Sequence, residues 1–132
     1  ALLLTHEHGD HSRGIASFAN RHRATIWTTP GTWRALGAPE VPRLRLFSGH
    51  TGAVALGPLR VRPYPVPHDA REPVQLVLEC PGGRLGMLTD AGGVTAHIRG
   101  VSESLAERAR LALQDGPGPW FEVLANPNCD PG

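Results

Sequence analysis

Three histidines and an aspartate fall within six positions of the stretch Thr5-His6-Glu7-His8-Gly9-Asp10-His11, directly after the apolar run Ala1-Leu2-Leu3-Leu4. A neutral imidazole offers one lone pair to a borderline cation such as zinc, and a carboxylate offers a hard anionic oxygen. His6 and His8, two residues apart at a strand end, can be turned toward one point by the loop. Asp10 and His11 follow as the chain enters a helix and can face a second point nearby. Gly9 between the pairs permits a tight backbone turn. A single histidine is most often a surface residue or a satisfied core residue. Four ligand-type residues in the order His-x-His-x-Asp-His after a buried strand are hard to place except around a cation.

Two more ligand-type residues stand at predicted strand ends. His68, in Val66-Pro67-His68-Asp69-Ala70, follows a strand, and with its acidic neighbour it can reach the same centre as His6 and His8. Asp69 either orients a histidine or caps a turn. Asp90 ends the stretch Gly86-Met87-Leu88-Thr89 and precedes Ala91-Gly92-Gly93, where the ordinary reading is a turn aspartate.

The elements that must position these residues are legible from periodicity. The run over residues 1–4 reads as a buried strand, because it is short, continuous and apolar. Residues 11–22 read as a helix with Ile15, Phe18 and Ala19 on one face and Asp10 as its N-cap. Residues 24–28 read as a strand. Pro30 then opens a short helix that ends at Gly37. Residues 43–47 alternate as a strand with Leu44 and Leu46 on one face. Residues 53–56 and 59–66 make a hairpin around Gly57-Pro58, and residues 74–80 and 84–89 make another around Pro81-Gly82-Gly83. Helical patterns cover residues 95–100 and 102–114. Residues 120–125 read as a last strand, and the tail over 126–132 is turn-like. Arg43, Arg45, Arg60 and Arg62 read either as a basic ridge for phosphates or, more simply, as solvated strand faces.

Composition sets the outer bounds. A chain of 132 residues, 40% hydrophobic, is at most one domain. The 16 glycines and 13 prolines imply many turns, as in a loop-rich strand protein. A net charge of +1 argues neither for nor against nucleic acid. Cys80 and Cys129 make no CxxC pair and read as free thiols of a reducing cytosol. The opening apolar run is too short for a signal peptide, and no stretch is long and apolar enough to span a membrane.

The wording LLLTHEHGDHSRGI, then VPHDA, then GRLGMLTDAGGVTAHI resembles the metallo-β-lactamase fold superfamily, and within it the YycJ/WalJ-like branch, over about residues 1–98. The resemblance implies an α+β fold: a four-layer αββα sandwich of two face-to-face sheets with helices outside. Residues 1–132 would then be a partial domain, with N-terminal strands and a C-terminal part missing. It also implies two divalent metal ions, zinc or manganese. His6, His8 and His68 would hold the first, Asp10 and His11 the second, and Asp90 would bridge both. The branch completes its second site with a C-terminal histidine, but no histidine follows His97, which reads as a surface residue on a helix. Asn126-Pro127-Asn128-Cys129-Asp130-Pro131 is similar to the branch's Asn-His-Asp-Pro element, with Cys129 in place of the histidine. In this chain the second site therefore lacks that histidine.

The implied activity is hydrolysis of a phosphodiester by a cytoplasmic 5′ exonuclease acting on DNA. Asp10 would orient the attacking water as well as bind metal, and His68 or a missing downstream residue would assist the leaving oxygen. Two other functions share these residues. One is a small-molecule metallohydrolase, thioesterase-like or lactamase-like, although lactamases depart from this core at the Asp90 position. The other is a metal-binding remnant without turnover. The oligomeric state cannot be read from this sequence.

Overall fold

The structure, a computed structural model, describes residues 1–81, 83–104 and 123–125. Its first half alternates strands and helices: β1 (Leu2–Leu3), α1 (Gly9–Ser12), α2 (Ile15–His22), β2 (Thr25–Thr28), α3 (Pro30–Ala35) and β3 (Arg43–Leu46). The three strands are parallel, in the order β1-β2-β3. Parallel neighbours need crossover connections, and here the helices supply them. Ala19 of α2 and Trp33 of α3 both bury against Ile26, with Leu2 and Leu44 alongside, so both helices cover one face of this sheet.

The second half is a meander. Strands β4 (Val54–Leu56), β5 (Leu59–Pro65), β6 (Val74–Cys80) and β7 (Gly83–Leu88) pair antiparallel in sequence order, and β8 (Val123–Ala125) adds to β7 in parallel. Both expected hairpins form. Gly57 turns the first with φ of 61°, a conformation that costs glycine little.

Side-chain alternation along β5 to β7 sorts this sheet into two faces. Val61, Val74, Leu76, Leu78 and Met87 meet Leu3, Trp27 and Phe47 of the parallel sheet, forming the core between the sheets. Tyr64, Val66, Val77 and Leu88 point the other way, onto Ile98 and Val101 of a helix over residues 96–104, labelled α4. The succession is thus helices, parallel sheet, mostly antiparallel sheet, helix: the four-layer αββα sandwich expected from the sequence.

Several local readings are revised. The helix expected over 11–22 is two helices, because Gly14 sits at φ of 80° and begins α2 afresh. His8, not Asp10, is the residue before α1, and Asp10 lies in the first helical turn, where a carboxylate suits the positive end of the peptide dipoles. The two patterns expected around residue 101 run together within α4 as far as residue 104; the rest of the second, and the tail over 126–132 with Cys129, lie outside the described residues. Leu46, paired by alternation with half-buried Leu44, is 50% exposed. The arginines divide as well: Arg43 and Arg45 belong to the parallel sheet, whereas Arg60 and Arg62 lie on the α4-side face of the other sheet, where Glu79 bonds Arg84 at 2.6 Å and approaches Arg62 at 4.0 Å. They do not share one ridge.

Candidate metal centre

The centre lies where β1, β5 and β7 all end. Leu4 extends β1 through its N–H to the Trp27 carbonyl at 2.9 Å, and its own carbonyl accepts from Thr28 Oγ1 at 3.1 Å. Thr5 then crosses to the other sheet, its carbonyl accepting the Val74 N–H at 3.1 Å. His6 is therefore delivered into the seam between the sheets and is buried. His68 leaves the end of β5, and Asp90 leaves the end of β7. Gly92 N–H donates to the Pro67 carbonyl at 2.6 Å and ties these two loops together. A β-carbon at Gly92 would sit 3.1 Å from that carbonyl oxygen, so the close approach suits glycine.

Four imidazoles converge. The His6 ring centroid lies 4.7 Å from those of His8 and His68 and 4.2 Å from that of His11. Two sets of ligand atoms fall within 4.8 Å of one another: His6, His8 and His68 in one, and His6, His11 and Asp90 in the other. His68 Nε2 stands 3.1 Å from His8 Nδ1, and His11 Nε2 stands 3.1 Å from Asp90 Oδ2. The structure thus brings together five of the six residues singled out as ligands. Asp10 is in neither set, but its Oδ2 is 3.5 Å from His11 Nε2, and its side chain is 77% exposed at the rim. His97 is exposed on α4, as expected of a surface residue.

Whether cations fit is answered by His6. Its Nδ1 has Thr5 Oγ1 at 3.1 Å, but its Nε2 is buried and has no hydrogen-bond partner among the described residues. A buried polar nitrogen without a partner is costly in a folded protein. A cation beside Nε2 would remove that cost, and His8 and His68, which share a ligand set with His6, could help hold it. One nitrogen serves one ion, so His6 could serve only one of the two sets, and the other would then be left with His11, Asp90 and, at the rim, Asp10. Burial, followed by the neighbouring His11, His68 and His8, lowers the His6 pKa from 6.5 to about 4, and the Asp90 carboxylate only partly opposes this. The ring is held neutral, the form that ligates a metal.

The outer nitrogens also have a partner. Asp69 Oδ1 lies 3.2 Å from His68 Nδ1 and 3.9 Å from His8 Nε2, so one carboxylate stands behind both rings. The shorter contact selects for His68 the tautomer whose lone pair points inward, whereas His8 is approached without a hydrogen bond.

Three supporting residues escaped the sequence reading. Glu7 Oε1 accepts the Arg71 N–H at 2.6 Å. Glu72 Oε2 accepts the Gly31 N–H at 2.6 Å, and the Glu72 carbonyl accepts from Thr29 Oγ1 at 2.8 Å, fixing the loop after His68 onto the start of α3. Gln75 Nε2 donates to the Thr89 carbonyl at 2.7 Å and to Thr89 Oγ1 at 2.9 Å, immediately before Asp90. Gln75 alone carried a signal, as the polar residue within the apolar first part of β6, Val74–Leu78.

Comparison with known proteins gives the family and the fold. The model of the beta-lactamase superfamily domain matches residues 1–117. The chain is 30% identical over 103 residues to the exodeoxyribonuclease YycJ of Bacillus anthracis, covering 76% of this chain and 39% of that protein. It is 28% identical over 111 residues to the exodeoxyribonuclease WalJ of Streptococcus pneumoniae, covering 79% and 40%. The chain therefore spans about two fifths of the length of these relatives. Among solved structures, the metallo-hydrolase Igni18 of Ignicoccus hospitalis superposes with a TM-score of 0.62 at 19% identity, over 79% of this chain and 47% of that one. Zn²⁺-bound PqqB of Methylobacterium extorquens superposes with a TM-score of 0.63 at 19% identity, over 75% and 41%.

Proposed function

Because this chain belongs to the beta-lactamase superfamily domain family, we propose that it is part of a metal-dependent hydrolase domain, and that the reaction is cleavage of a phosphodiester in DNA, from the 5′ end. The observation that carries the metal-dependent part is His6: its buried Nε2 has no partner among the described residues, and its ring shares a ligand set with His8 and His68. The nucleic-acid part is supported by the exodeoxyribonuclease relatives. A DNA substrate favours the cytoplasm as its compartment. No described helix is long and apolar enough to cross a membrane.

We assign His6, His8 and His68 to a first divalent cation, zinc or manganese, and Asp10, His11 and Asp90 to a second, with the free oxygen of Asp90 available to span both. Bound cations would supply Lewis acidity and acidify a water toward neutral pH. Asp10 is exposed beside His11 and can hold that water by accepting one of its hydrogens. His68 gives Nδ1 to Asp69 and turns Nε2 inward, which suits ligation. The assistance to a leaving oxygen expected of His68 would use the same Nε2, so ligation is the role we assign first. The test is release of nucleotides from a 5′-phosphorylated duplex with Mn²⁺ or Zn²⁺, alongside elemental analysis. Two ions per chain and nucleotide release are expected. Hydrolysis of a thioester or lactam without nucleotide release would overturn the substrate assignment, and one ion without any hydrolysis would favour a metal-binding remnant.

A further inference from the structure

We infer that Glu7, the residue between the first two histidines, is a positioning residue: its carboxylate straps the loop that carries His68 against the metal motif. The inference rests on the metal-dependent reading above and concerns how that centre is held together.

Residues two apart in extended chain face the same way, and the one between them faces the other way. His6 and His8 turn toward the other imidazoles, so Glu7 is turned away from them and cannot join their ligand set. It reaches residues 67–73 instead. That segment has no helix or strand of its own, yet it presents His68 and Asp69 to the centre. Its ends are pinned by the Pro67 carbonyl to Gly92 and by Val74 N–H to the Thr5 carbonyl. Its far side is pinned to α3 through Glu72. Between these anchors, Glu7 Oε1 accepts the Arg71 N–H at 2.6 Å, three residues beyond His68. This bond ties the backbone of the loop to the metal motif, beside the side-chain contact of His68 with His8 at 3.1 Å. Asp69, whose oxygen stands behind both His68 and His8, is 86% exposed, so little besides the loop backbone holds it there.

The second Glu7 oxygen sharpens the inference. Oε2 is buried with no hydrogen-bond partner among the described residues. A strap needs only the one acceptor oxygen, and a neutral carboxamide of the same length supplies it, exchanging a buried unpartnered carboxylate oxygen for a buried unpartnered amide nitrogen. Aspartate is one methylene too short to reach Arg71, and alanine has no acceptor. The order expected for a strap is Glu and Gln together, then Asp and Ala together. A role as a ligand or a proton acceptor would put Gln with Ala.

The experiment uses the full chain with Glu7→Gln, Glu7→Asp and Glu7→Ala. Zinc affinity is measured by competition with a chromophoric chelator, and amide hydrogen exchange at Arg71 is followed in the metal-free protein. Glu7→Ala and Glu7→Asp should weaken zinc binding roughly 10- to 100-fold, the usual effect of losing a group that orients a ligand, and should speed Arg71 exchange. Glu7→Gln should match the parent in both. Unchanged affinity and exchange in Glu7→Ala, or a Glu7→Gln variant as weak as Glu7→Ala, overturns the inference. Absence of zinc binding in the parent chain would instead sink the metal-dependent reading, while the Arg71 exchange rates would still decide the strap. Should Glu7→Ala not fold, the contrast between Gln and Asp carries the test.

Discussion

Acid should destabilise the metal-free protein through one imidazole. His6 is buried among three other histidines, and its pKa falls from 6.5 to about 4, first because burial penalises the imidazolium and then because His11, His68 and His8 would repel it. Above pH 6.5 the ring is neutral in both folded and unfolded chains, and this contribution to stability is fully present. As pH falls from 6.5 toward 4, the unfolded chain binds a proton that the folded chain refuses, so stability is lost; below about 4 the loss levels off. The gap between the two values corresponds to about 3 kcal/mol, a sizeable part of the stability of a small domain. The assay is urea denaturation of chelator-treated protein at several pH values between neutrality and about pH 4, for the parent and for His6→Gln, which keeps a polar atom near the Nε2 position but does not titrate. The parent should lose more stability than the variant, by about that amount. Equal losses, or an NMR titration in which the His6 ring protonates near its ordinary value, would refute the reasoning.

Three further outcomes follow from the packing and the centre. Leu76→Ala empties a fully buried position between the two sheets and should cost about 2–5 kcal/mol in urea denaturation. Gly31→Ala would gain a little helix propensity, but its β-carbon would lie 2.5 Å from Glu72 Cβ and 2.8 Å from Glu72 Oε2, so Glu72 must move and release the Gly31 N–H. A net loss of about 1–3 kcal/mol is expected, read as a lowered thermal midpoint. Zinc at about 100 times its dissociation constant should raise the unfolding free energy by about 2.7 kcal/mol, and EDTA should reverse the gain; an unchanged melting temperature would count against the ligand set.

Much of this molecule is written in short stretches of the chain. The run Leu2–Leu4, the alternation of β5 and β6 and the two glycine-bearing hairpins depend on residues a few positions apart, so their periodicity sufficed to place them. The motif over His6–His11 is local too, and with it the expectation of cations. Long-range placement was decided by packing. His68 and Asp90 reach His6 only because β5, β6 and β7 stack in register against the parallel sheet and end at one seam. The same packing separates Arg43 and Arg45 from Arg60 and Arg62, although all four looked alike along their strands. It leaves Asp10 at the rim rather than among the converging rings. It also finds work for Glu7 and Gln75, whose partners are backbone groups of distant loops. A backbone N–H or carbonyl carries no side-chain signature, so a carboxylate or carboxamide destined to bond one cannot be told from a solvated residue until the loops are brought together.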